Sequence, residues 1–169
     1  MFSAFYGTFS TIAFTIFGLW MFVAQARFRE WMENPDQYRR ASAVSIQFAL
    51  PGLMSLMALI NPDSGPLWRL AFGLTSAVAI LLLLALRSRP GGTPAGINEV
   101  ANWIAIVLFA CIGIVALSPG VVNSVGIGGK GQSRHAEFFF FCLLLLDGLV
   151  IAWMMLFAET LPPAERATS

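Results

Sequence analysis

FFFFCLLLLDGLVIAWMM, from Phe138 to Met155, decides what kind of molecule this chain can be. Extended to Ala158, the stretch is long enough as an α-helix, at 1.5 Å per residue, to cross the roughly 30 Å hydrocarbon core of a bilayer. It carries one charged group, Asp147, within a residue of its centre. An ionised carboxylate at mid-bilayer costs about 2.5–3.5 kcal/mol on insertion scales. The helix assigns the class of fold, and the carboxylate raises the question of function.

Composition points the same way. Of 169 residues, 57% are hydrophobic and 11% charged, against about 45–50% and about 25% in ordinary globular chains. That is too little polar surface to coat a soluble core, and the expectation is an integral membrane protein whose first partner is the lipid bilayer. A net charge of +1, with no basic stripe interleaved with aromatics, excludes nucleic acid as a partner. The cluster Arg27, Arg29, Arg39 and Arg40 is interrupted by Glu30, Glu33 and Asp36 and reads as a solvated loop at the membrane surface. Cys111 and Cys142 lie in apolar stretches, there is no C-x-x-C, and His135 is the single histidine, so neither a metal nor a cofactor is expected. The first residues, MFSAFYGTFSTIAF, lack the positive n-region of a cleaved signal and read as a retained span.

Five stretches reach the length a crossing helix needs: residues 5–26, 41–60, 67–86, 98–118 and 138–158. Unpaired backbone groups are so costly in lipid that each is expected to be helical, giving an all-α bundle of five transmembrane helices in a single membrane domain, 1–169. Asn34 followed by Pro35 is an N-cap and first-turn signal for the second helix. Asn61 to Pro66 reads as a tight turn, with a helix restarting at Pro66, and RSRPGGTPAG, 87–96, as a connector. Seven arginines (Arg27, Arg29, Arg39, Arg40, Arg87, Arg89 and Arg166) fall on one side of such a bundle, and Arg69, Lys130 and Arg134 on the other. The positive-inside rule then places the N-terminus outside and the C-terminus in the cytoplasm, in a bacterial plasma membrane. Trp20, Trp31, Trp68, Trp103 and Trp153 lie near span ends, where interfacial anchors belong.

Asp147 shares its depth with Thr15 on the first span, Pro51 and Gly52 on the second, and Thr75 and Ser76 on the third. On the first span Ala4, Thr8, Thr11, Thr15, Gly18, Phe22 and Gln25 follow one helical face, while Phe5, Phe9, Ile12, Ile16 and Leu19 form a back suited to lipid. The stripe suits either close helix packing or a hydrated path. The second span adds Ser45, Gln47 and Ser55, and Pro51 removes an intrahelical hydrogen bond, freeing a carbonyl. The candidate pathway lining is therefore Thr8, Thr11, Thr15, Gln25, Gln47, Ser55, Thr75 and Ser76. No basic residue shares the depth of Asp147: Arg69 lies about 11 Å along the axis from mid-span. The carboxylate therefore faces water, carries a proton, or hydrogen-bonds a Thr, Ser or Gln. Gly148 and Ala152 beside it allow another helix to approach, so Asp147 is expected to face the bundle or a subunit interface.

The outer loop PGVVNSVGIGGKGQSRH, 119–135, contains Ser124-Val125-Gly126-Ile127-Gly128, which resembles the selectivity filter of potassium channels. The filter aromatic is missing, and the preceding span ends too close for a pore helix, so the segment reads as a glycine-rich loop. His135 and Glu137 after it are candidates for an outer gate or sensor. No nucleophile elbow, zincin motif, pair of mid-depth carboxylates or axial histidine pair is present, and no enzymatic activity is expected. Two expectations remain. One is a small homo-oligomer that conducts protons or monovalent cations, with Asp147 as the site. The other is an accessory or scaffold subunit of a larger membrane complex, with Asp147 as hydrogen-bond glue.

Overall fold

The computed structural model describes residues 2–60, 65–86, 97–118 and 133–158. The described residues form six helices: α1 (Phe2–Ala26), α2 (Phe28–Glu33), α3 (Pro35–Ile60), α4 (Gly65–Ala85), α5 (Ile97–Leu117) and α6 (Ser133–Ala158). All but the short α2 are long and apolar enough to cross a membrane. Of the expected turn at 61–66, Gly65 and Pro66 already belong to α4, while 61–64, the connector at 87–96 and the filter-like loop lie outside the described residues.

Helix ends follow local chemistry. Asn34 Oδ1 accepts hydrogen bonds from the backbone N–H of Asp36 at 3.2 Å and of Gln37 at 3.5 Å, which caps α3 with Pro35 at its first position. The helix therefore begins six residues before Ala41, where hydropathy alone places the span, because capping rather than apolarity fixes a helix start. Helix α6 begins at Ser133, so the backbone at His135 is helical rather than a loop.

Helix α3 is the hub and packs against every other helix, while α4 pairs with α5, and α6 seats on α3 and α5. Glycine marks the two most extensive contacts. A Cβ on Gly52 would stand 3.2 Å from Ala13 Cβ, joining α3 to α1, and one on Gly113 would stand 3.2 Å from Ser76 Cβ, joining α5 to α4. Missing side chains let backbones approach closely, which is how helices gain packing contacts when no hydrophobic force separates protein from lipid. One end of the bundle is filled by rings: Phe5 stacks on Phe138 at 3.7 Å, Phe9 on Phe141 at 5.1 Å, and Phe72 on Phe141 at 5.7 Å.

Two sequence expectations are corrected here. The buried face of α1 is Tyr6, Phe9, Ser10, Ala13 and Trp20, while Thr8, Thr11, Thr15, Gly18 and Phe22 are exposed. Phe9, expected to face lipid, is thus in the core. Apolarity cannot distinguish a core from a hydrocarbon solvent, and large rings gain most by packing on one another. The tryptophans also divide: Trp103 and Trp153 are exposed, but Trp20 and Trp31 are buried and stack at 5.6 Å. Trp20 Nε1 donates to Ser45 Oγ at 3.0 Å and to the Ala41 carbonyl at 3.3 Å, so it clamps α1 to α3.

Candidate functional site

Asp147 occupies the middle of α6, on the flank of the buried stripe formed by Phe141, Leu144, Gly148, Ile151 and Met155. Leu144 and Ile151, one turn to either side, hold it half-buried. Its Oδ2 is shut off from the surface and has no hydrogen-bond partner among the described residues.

The neighbouring Gly148 is where α6 meets α3. A Cβ there would lie 2.7 Å from Phe48 Cε1 and 3.0 Å from Gln47 Oε1, so both α3 side chains use the space that glycine leaves. Gln47 is fully buried, and neither its Nε2 nor its Oε1 has a partner among the described residues. A buried polar group without a partner costs about 1–3 kcal/mol, and Gln47 carries two such atoms. Pro51 lies four residues on, also fully buried, and lacks the N–H that would bond the Gln47 main-chain carbonyl. Residue 47 thus carries two unpartnered amide atoms, and its main-chain carbonyl lacks the usual i+4 donor.

Two further hydroxyls are buried without partners among the described residues, Ser55 Oγ on α3 and Ser76 Oγ on α4. Ser55 is two turns from Gln47, about 12 Å along α3, and Ser76 faces Gly113 of α5. Thr75 is half-buried. Buried polar atoms without partners among the described residues thus occur on Gln47, Ser55, Ser76 and Asp147, on three helices and at more than one depth.

The other sequence candidates are placed elsewhere. Thr8, Thr11, Thr15 and Gln25 are exposed along α1. Thr11 Oγ1 donates to the Gly7 carbonyl at 2.9 Å and Thr15 Oγ1 to the Thr11 carbonyl at 2.7 Å, so both hydroxyls are satisfied within their own helix. Thr8 borders a groove of about 340 Å³ between α1 and α6, whose other lining residues, including Phe5, Ile12 and Leu146, are apolar. The α6 backbone runs through His135 and Glu137, whose side chains lie outside the described residues. Among the described residues, no three His, Cys, Asp or Glu side chains come together to hold a metal. Sequence reasoning did not anticipate the ring contacts among α1, α4 and α6; the aromatic spacing Phe5, Phe9, Phe138 and Phe141, one turn apart on each helix, was the available signal.

The arrangement is one half-buried carboxylate and, packed against the next residue Gly148, one buried carboxamide, in a bundle apolar enough for lipid. Such a site can hold and release a small ion, or fix two helices by hydrogen bonds. No protein-family model, curated protein or solved structure matches the chain.

Proposed function

We propose that this protein is an integral membrane protein of a bacterial plasma membrane that assembles in several copies to conduct or transport protons or monovalent cations, with Asp147 as the intramembrane site. The observation that carries the reading is the buried, unpartnered Oδ2 of Asp147 in the middle of an apolar helix. Carboxylates at such depth mark ion pathways and proton relays when no cation neutralises them. Arg69 is exposed close to the start of α4, and Arg40 lies two turns before Gln47 on α3, so neither shares the depth of Asp147. Five helices packed around α3 leave little interior for a pore, which favours several copies around a shared axis.

A second reading, an accessory or scaffold subunit, draws on the outer face of α1. A Cβ at Gly7 or Gly18 would meet nothing within 4 Å, so this face has space for a helix of another protein. Small residues at such a face support helix docking.

Flux of protons, sodium and potassium into proteoliposomes, for the wild-type protein and Asp147→Asn, separates the two. Conduction predicts wild-type flux that drops to background in a variant whose oligomer elutes unchanged. Silence of both proteins over a range of pH and voltage would leave the scaffold reading.

A further inference from the structure

We propose that Gln47 is the second half of the Asp147 site and that the site holds a proton: the protonated Asp147 carboxyl and the Gln47 carboxamide form a neutral pair, joined by two hydrogen bonds beside Gly148. The inference rests on the reading of Asp147 as an ion site and narrows its occupant.

Three buried atoms without partners among the described residues flank this contact, Asp147 Oδ2 on α6 and Gln47 Nε2 and Oε1 on α3, and in this structure no hydrogen bond joins them. Gln47 Oε1 stands 3.0 Å from where a Cβ of Gly148 would be, which brings the amide to the residue next to Asp147. The donor and acceptor inventory then discriminates between occupants. An ionised carboxylate only accepts, so it can take a hydrogen bond from Nε2 but leaves Oε1 without a donor. An alkali cation would engage Oδ2 and Oε1 but would repel the Nε2 donors. A protonated carboxyl both donates and accepts, which matches a carboxamide: O–H to Oε1 and Nε2–H to the carbonyl oxygen. One proton therefore gives each of the three atoms a partner and leaves the pair uncharged, as a low-dielectric site favours. The step is the reversible addition of one proton to the carboxylate, with no other bond made or broken.

Titratable and charged groups on the surrounding helices leave this assignment to Asp147. On α3, Asp36, Tyr38, Arg39 and Arg40 lie in its first two turns, with Arg40 about 10 Å along the axis from Gln47. On α4 the one charged residue is Arg69, and on α5 Glu99 is near the N-terminal end and Cys111 past the middle. Tyr6 on α1 sits among rings at the bundle end; on α6, Cys142 is exposed, and Arg134, His135 and Glu137 are in the first two turns, ten or more residues and about 15 Å or more along the axis from Asp147.

Infrared difference spectroscopy on the reconstituted protein tests the pair. The expected result is a carboxylic-acid carbonyl band that is lost in Asp147→Asn and moves to higher wavenumber in Gln47→Met, where the acid loses its partner at nearly unchanged volume. In wild-type protein containing carbon-13 glutamine, a carboxamide band should change with the same pH midpoint as the acid band, which requires no variant. An acid band unmoved by Gln47→Met and a carboxamide band indifferent to pH would overturn the pairing. Loss of the acid band on adding sodium at constant pH would overturn the proton as occupant. If the bands behave as expected but proteoliposomes carry no flux, the pair stands and the transport reading fails.

Discussion

Gly148 is the residue at which the packing of α6 on α3 leaves least room. A methyl group there would fall 2.7 Å from a ring carbon of Phe48, which is buried and has nowhere to swing. Overpacking of this kind typically costs about 1–3 kcal/mol. Gly148→Ala should therefore lower the melting temperature in detergent micelles. Gly18→Ala, where nothing lies within 4 Å, should leave it unchanged or raise it, by up to about 1 kcal/mol of helix propensity. Equal melting temperatures for the two variants would mean that α6 is not seated on α3 at this point. The residue scale also separates two kinds of polar candidate. Thr11 and Thr15 lie on the exposed face of α1, and each hydroxyl bonds back to its own helix. A glutamine has no such local outlet, and Gln47 is the one carried inward with both amide atoms unmet.

The helices themselves were largely legible, because their signals are local. Asn34-Pro35 announces α3 through two hydrogen bonds to one side-chain oxygen. Asn34→Ala should accordingly cost about 1 kcal/mol in thermal unfolding, while Asn34→Asp, which keeps the acceptor, should cost much less. If both lose the same amount, the cap does not hold the α2–α3 boundary. Which face of a helix turns inward was less legible, since both faces of α1 are apolar enough for lipid or core. The decision falls to tertiary contacts invisible in one segment, such as the bonds from Trp20 to Ser45 and Ala41 on α3. Trp20→Phe keeps most of the ring volume and removes those bonds, so it should cost roughly 1 kcal/mol. Trp20→Ala also opens a cavity and should cost about 3–5 kcal/mol. Near-equal losses would show that the hydrogen bonds, rather than the packed ring, join α1 to α3.

At the scale of the whole molecule, helix count and charge asymmetry combine into a statement about sides. If all five long helices cross the bilayer, residues 87–96 and 119–132 are separated by one crossing, α5, and must lie on opposite faces. This follows whichever way the chain is inserted. The direction comes from charge: Arg87 and Arg89 belong to the group of seven arginines, while Lys130 and Arg134 belong to the smaller group, and basic residues are retained on the cytoplasmic side. The expectation is that Ser124→Cys, in a background with Cys111 and Cys142 replaced by alanine, reacts with a membrane-impermeant maleimide on intact cells. Ser88→Cys should react only after lysis. The reversed pattern would keep five crossings and invert the orientation, placing the arginine-rich face outside against the positive-inside rule. Labelling of both positions, or of neither, before lysis would mean that α5 does not cross. Asp147 would then lose its place at mid-depth, because α6 is positioned in the bundle by packing on α5 as well as on α3.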